Sequence, residues 1–286
     1  MVRYTATADT DVGISKATNQ DSVLIKHAST DLGEVVLAIV CDGMGGLAKG
    51  ELASATVIRE FARWFEEDLP FELETLDMQV IGGKWSLMLK DLNLKILEYG
   101  EKLGSSLGTT FSGILFVDDK YVIAHVGDTR IYHIGASLTQ LTTDQTFVAR
   151  EISRGTMTAE QAKTDKRRNL LLQCVGASKT VEPQIICGTA EKGAYMLCSD
   201  GFRHEITEAE IYESLNPINF MNKNAMHNNA KYLIEQVKSR QALSTAARCT
   251  TRCSTIASAS SATPRTTTTT SIPWTIHTTI PSARLR

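Results

Sequence analysis

Four aspartates in this 286-residue chain stand at strand ends or in glycine-adjacent turns: Asp21 after Asn19-Gln20, Asp42 before Gly43, Asp128 after Gly127 and Asp200 before Gly201. Taken one at a time each reads as a turn-former, because Asp and Gly are the commonest turn residues. Their recurrence at strand ends asks for more. Carboxylates gathered at one edge of a fold repel one another, and buried charge without a partner is costly, so cations are needed among them. Oxygen-only ligands suit hard ions such as Mg²⁺ or Mn²⁺. Two such ions about 3.5–4 Å apart generate hydroxide near neutral pH and direct it in line at phosphorus. Two-metal hydrolysis is therefore the chemistry these residue types point to.

Periodicity supplies the strands and helices that carry these acids. Leu37-Ala38-Ile39-Val40-Cys41 reads as a strand buried on both faces that stops at Asp42, and Gly43, Gly45 and Gly46 clear side chains from the next turn. Val2 to Val12, Ser22 to His27 and Glu34 to Cys41 read as three strands of one antiparallel layer. Glu51 to Asp68 and Leu73 to Leu103 switch to helical spacing, the second with Gly82-Gly83 expected to break it near its start. Strands resume at Thr109 to Val117, Tyr121 to Val126 and Arg130 to Ile134, and again at Val181 to Cys187 and Ala194 to Cys198. Asp144 to Arg168 is polar and reads as a surface excursion with short helices. Glu208 to Leu215 and Ala225 to Val237 supply a second helical pair. The class expected is α+β: a four-layer αββα β-sandwich flanked by helix pairs.

Composition sets bounds on this scheme. The chain carries 30 Lys and Arg against 32 Asp and Glu, a net −2 that speaks neither for nor against nucleic acid. From Ala242 onward there are five Arg and no acid, which leaves the preceding body with 25 basic and 32 acidic residues. Residues 242–286 are rich in Thr, Ser and Ala and include Thr266 to Thr270 in a row; disorder is the expectation for such a segment. Of the six cysteines, Cys41, Cys187 and Cys198 sit in or beside strand-like runs as small hydrophobes. Cys249 and Cys253 lack a second pair for zinc. A reducing, cytoplasmic setting is expected. No signal peptide is visible, and no run approaches the roughly 18 apolar residues of a membrane span. His27, His125, His133 and His204 read as ordinary residues, and Trp64 and Trp85 as core.

Asn19-Gln20-Asp21, Asp42-Gly43-Met44-Gly45-Gly46 with Gly50-Glu51, Gly108-Thr109-Thr110, Val126-Gly127-Asp128-Thr129-Arg130 and Ser199-Asp200-Gly201 resemble, in order and spacing, the metal-dependent Ser/Thr protein phosphatases of the PP2C (PPM) type, in its bacterial form. Leu141 to Asp144 and Leu171 to Gly176 are similar to that family's flap region and the segment after it. The resemblance covers roughly residues 1–240. It implies hydrolysis of phosphoserine and phosphothreonine in a phosphorylated protein substrate, opposing a Ser/Thr kinase, with no nucleic acid or membrane partner.

Carried over by position, Asp42 would bridge two Mn²⁺ or Mg²⁺ ions. Gly43 would offer its carbonyl to one, Asp200 its carboxylate to the other, and Asp21 would act through water. Asp128 with Asp200 would hold a weaker third ion. Lys16 falls where the family has a phosphate-binding Arg, giving a point charge without the bidentate fork. Met44 stands where eukaryotic relatives carry a proposed acid. The family closes with an Asp-Asn pair on a strand after its last helix, the Asp a metal ligand, whereas here Gln241 is followed by Ala242-Leu243-Ser244-Thr245 and no acid. The expectation is a phosphatase domain over 1–241 lacking its closing strand. The alternative is a catalytically impaired pseudophosphatase or frameshifted product acting as a binding protein. A haloacid-dehalogenase reading fails at Met44, where that class needs a second Asp.

Overall fold

The computed structural model describes residues 2–13, 18–45, 49–219, 222–245 and 254–262. Strands β1 (Arg3–Asp11), β2 (Ser22–Thr30), β3 (Gly33–Cys41) and β4 (Gly43–Gly45) lead into helices α1 (Gly50–Glu67), α2 (Leu69–Glu72) and α3 (Met78–Leu103). Then come β5 (Leu107–Thr109), β6 (Phe111–Val117), β7 (Lys120–Val126), β8 (Arg130–Ile134) and β9 (Leu138–Gln140), followed by α4 (Phe147–Ser153) and α5 (Ala159–Thr164). β10 (Gln184–Thr189), β11 (Ala194–Cys198), α6 (Asp200–Arg203), α7 (Glu208–Leu215), α8 (Lys223–Thr245) and β12 (Ser254–Ala262) complete the order. One sheet runs β1-β12-β11-β8-β9, a second β10-β7-β6-β3-β2, and β4 pairs with β5 alone.

β3 shows why the sheets meet where they do. Alternate side chains of a strand face opposite ways. Val35, Leu37, Ile39 and Cys41 pack against α1 and α3, beside Phe61, Trp64 and Trp85. Val36, Ala38 and Val40 pack instead with Ile131, Tyr195 and Leu197 of the β1 sheet. The outer face of that sheet, with Tyr132, Ile134 and Met196, is covered by Phe202, Ile211, Leu233 and Val237 from α6, α7 and α8. Trp85 is fully buried among Phe61, Trp64 and Phe111, with edge-on ring contacts at 5.2, 5.4 and 6.4 Å.

Several expectations need correction. Gly82 and Gly83 do not break a helix; both lie within α3. A Cβ on Gly82 would sit 2.5 Å from the Ile185 side chain, so this glycine lets the helix lie close on β10. The helix instead starts at the Asp77 cap, whose carboxylate accepts from the Gln79 and Val80 amides, and stops at Gly104 with φ +62°. β1 does not share a sheet with β2 and β3; it pairs with β12.

The expected end of the domain is also revised. α8 runs through the proposed boundary at 241/242, and residues 254–262 form a closing strand that pairs antiparallel with both β1 and β11. The physical reason is that a slot between two strands is filled through main-chain hydrogen bonds, which Ser, Thr and Ala supply as well as Val or Ile. A Thr/Ser/Ala composition therefore concealed a strand. The rest of the 242–286 tail, 246–253 and 263–286, lies outside the described residues, Cys249 and Cys253 included.

Candidate metal centre

Asp42 is the first residue past β3, and its main chain is clamped to the segment before β6. Its amide donates to Thr110 Oγ1 at 2.9 Å, and its carbonyl accepts from the Thr110 amide at 2.9 Å and Thr109 Oγ1 at 3.1 Å. The Gly43 amide donates to the Gln20 carbonyl at 3.2 Å, tying the loop that carries Asp21 to the same strand end. A Cβ on Gly43 would fall 2.4 Å from the carbonyl oxygens of both Gln20 and Gly50, so only glycine fits where three backbone segments meet. The expected bare turn is the short ladder β4–β5. Asp21 is buried, with its amide donating to Asn19 Oδ1 at 3.0 Å. Burial first, then the charges of Asp21 and Asp42, push the Cys41 thiol above its usual range.

Asp128 reaches the same place from the β7–β8 connection. Gly127 adopts φ +107°, where a Cβ would meet Thr110 at 2.7 Å. Gln145 holds the turn at both ends: its side-chain Oε1 accepts from the Gly127 amide and its amide donates to the Gly127 carbonyl, each at 2.8 Å. Asp200 opens α6 after the buried strand β11. A cleft of about 180 Å³ is lined by Asp42, Asp128 and Asp200, with Gly43, Met44 and Thr110 among its other walls. Three acids from distant parts of the sequence thus share one cavity. Burial and the facing Asp200 carboxylate raise the Asp128 carboxyl, although Arg203 pulls the other way.

Beside the cleft runs a row of alternating charge. Arg130 grips Asp144 with two bonds, Nε to Oδ1 at 2.8 Å and Nη2 to Oδ2 at 2.7 Å. Arg203 Nη2 lies 2.7 Å from Asp128 Oδ2 and 3.9 Å from Asp144 Oδ2. Burial alone would raise the Asp144 carboxyl, but the two guanidinium groups outweigh it and hold it low. His125 serves as a structural joint and not as a ligand. Its Nε2 reaches the Thr143 carbonyl at 3.1 Å and so carries the proton, leaving Nδ1 to accept from Ser112 Oγ at 2.8 Å. Burial drops its pKa to about 4.

Of the residues singled out from sequence, Asp42, Gly43, Asp128 and Asp200 line the cleft, Asp21 stands beside its floor at the Gln20–Gly43 bond, and Lys16 lies outside the described residues. Asn169, Leu171 and Arg203 were missed. The polar excursion returns Asn169 and Leu171 to the cleft through paired bonds between Thr146–Phe147 and the 170–171 segment. In the same excursion Arg167 pairs with Asp165 at 2.9 Å and lies 4.1 Å over the Phe147 ring. The carboxylates and main-chain oxygens of the cleft fit Mg²⁺ or Mn²⁺, and no cysteine or histidine is among the residues that line it. Among the described residues, no three acidic, His or Cys side chains close on a single point; the acids line the cavity and do not converge.

The family model for Protein phosphatase 2C matches residues 14–260. Among curated proteins, the chain is 34% identical to the serine/threonine protein phosphatase PstP of Mycobacterium tuberculosis over 219 residues, covering 75% of this chain and 39% of that protein. It is 30% identical to protein phosphatase PhpP of Streptococcus pneumoniae over 206 residues, covering 71% and 80%. The chain thus spans well under half of the mycobacterial protein and most of the streptococcal one. Among solved structures, the S. agalactiae serine/threonine phosphatase superposes with a TM-score of 0.76 at 26% identity, over 90% of this chain and 99% of that one. The catalytic domain of PstP in complex with two manganese ions gives a TM-score of 0.71 at 26% identity, over 91% and 99%.

Proposed function

The chain belongs to the protein phosphatase 2C family, and from that premise we propose that it removes phosphate from phosphoserine and phosphothreonine of protein substrates, using divalent cations held in the Asp42–Asp200 cleft. The observation that carries this reading is the shared cavity of Asp42, Asp128 and Asp200, three acids that only folding brings together. Bound Mn²⁺ or Mg²⁺ would activate water as the nucleophile and neutralise the phosphate oxygens.

The chain's own residues have separate tasks in that scheme. Asp42 would hold both ions, its main chain fixed by Thr109 and Thr110 so that the carboxylate does not drift between them. The Gly43 carbonyl would serve one ion and Asp200 the other, while Asp21 supports the site from the adjoining loop. Lys16 would attract the phosphate as a point charge. Met44 lines the cleft and carries no proton, so no acid sits there to protonate the leaving group. The three apolar clusters on and between the sheets support a four-layer αββα arrangement. We place the protein in the cytoplasm, acting against a Ser/Thr kinase; among the described residues no helix is long and apolar enough to cross a membrane.

A second reading, an impaired phosphatase that retains binding, is favoured by one feature: the closing strand is present, yet Ser254–Ala262 carries no acid. Mn²⁺-dependent hydrolysis of an aryl phosphate and a phosphothreonine peptide, measured beside Asp42→Asn, separates the two. The enzyme reading expects a loss of at least about a hundredfold in the variant, the scale of removing a group that stabilises the transition state. Equal rates in both proteins would remove it.

A further inference from the structure

Arg203 sits one turn after Asp200 on α6, and its guanidinium reaches Asp128, one of the acids lining the cleft. Nη2 contacts Asp128 Oδ2 at 2.7 Å, and Nε contacts the Asp128 carbonyl at 3.3 Å. Both side chains are largely withdrawn from water, at 14% and 9% exposure, so little screening weakens the pair. Behind it the Arg130–Asp144 fork completes a row of two cations and two anions.

We propose that Arg203 is a tethered cation that occupies Asp128, so that divalent ions load against Asp42 and Asp200 and gain the third carboxylate only when the guanidinium swings away. This rests on the reading of the cleft as a metal site. The physical argument is competition for one carboxylate. A doubly charged ion arriving at Asp128 meets a fixed positive charge within contact distance, and the tether gives Arg203 a high effective concentration that the ion in solution must overcome. It also accounts for the acids lining the cavity without converging: Asp128 is drawn to one wall by the positive charge of Arg203, which bonds its carboxylate and its main-chain carbonyl. Arg203 acts through Asp128 and is a positioning residue.

The test is calorimetric titration of Mn²⁺ into the chelator-stripped full chain, with thermal unfolding measured with and without Mn²⁺. Arg203→Gln is expected to take up one more Mn²⁺ per chain or to bind the metal about tenfold tighter. Its stripped form should melt lower than wild type, because buried carboxylates lose their counter-charge, and Mn²⁺ should raise its melting temperature by more than it does for wild type. Arg203→Lys, which keeps the charge, is expected to hold the wild-type stoichiometry. If Arg203→Gln does not fold, Asp128→Asn decides the matter. With Arg203 as the resident partner this variant keeps the wild-type Mn²⁺ stoichiometry, whereas loss of an ion overturns the inference. Arg203→Gln that binds Mn²⁺ as wild type does, or more weakly, overturns it as well. A wild-type chain that takes up no Mn²⁺ overturns the metal reading itself and this inference with it.

Discussion

The β3 sheet and the β1 sheet each have five strands, but they are specified in different ways. In the β3 sheet, β3 and β6 are buried along nearly their whole length, and their side chains also fix α1 and α3 on the outer face. The β1 sheet interleaves strands from the two ends of the chain: β12 enters between β1 and β11 with the sequence Ser-Thr-Ile-Ala-Ser-Ala-Ser-Ser-Ala. One sheet is selected by apolar area removed from water, which is written in side chains. The other is completed by a ladder of main-chain bonds, which is indifferent to most side chains. A sheet of the second kind tolerates composition and is sensitive to anything that removes an amide.

That contrast is open to attack on both sides. The largest effect is expected from Trp85→Ala, which empties the aromatic cluster under α3 and should cost about 3–5 kcal/mol in urea denaturation; a cost below about 1 kcal/mol would mean that this face is not the core. Next comes Ser258→Pro. Residue 258 pairs with Thr7 on one side and Met196 on the other, so proline deletes a ladder bond in a strand flanked on both edges. The expected loss is about 3 kcal/mol, beside a near-neutral Ser258→Thr. If proline and threonine behave alike, the seam is not where the sheet closes.

The smallest effect concerns the joint between the sheets. His125 has its pKa lowered to about 4 by burial, so the folded state keeps it neutral where the unfolded chain would protonate it. Its stabilisation is present in full above the unfolded pKa of about 6.5 and is lost as pH falls toward 4, on the order of 2–3 kcal/mol across that window. His125→Gln should flatten this part of the stability–pH curve relative to wild type. Matching slopes in the two proteins would show that the Ser112–His125–Thr143 bonds do not hold a neutral imidazole.

Much of the site was legible because its residues are short-range signals. Asp beside Gly at the end of an apolar strand can be read locally, and three such places are present, at Asp42, Asp128 and Asp200. The Arg203–Asp128 pair was not legible, since nothing in the sequence near Asp128 states which cation it meets. Gly82-Gly83 was misread for a related reason: a glycine in a helical pattern signals a break unless one knows that the Ile185 side chain lies 2.5 Å from where a Cβ would sit. β12 was missed because strand signals are apolar and its reason for being a strand lies in its neighbours.

By itself the sequence determined the strands that bury side chains, the helices that cover them and the positions of the acids, because each depends on residues within a few places of one another. The tertiary structure alone decided that Asp42, Asp128 and Asp200 line one cavity, that Arg203 takes Asp128, and that a Thr/Ser/Ala segment closes a sheet. These are long-range contacts, and their energies depend on distance, burial and an available main-chain partner, none of which is a property of a local stretch of residues.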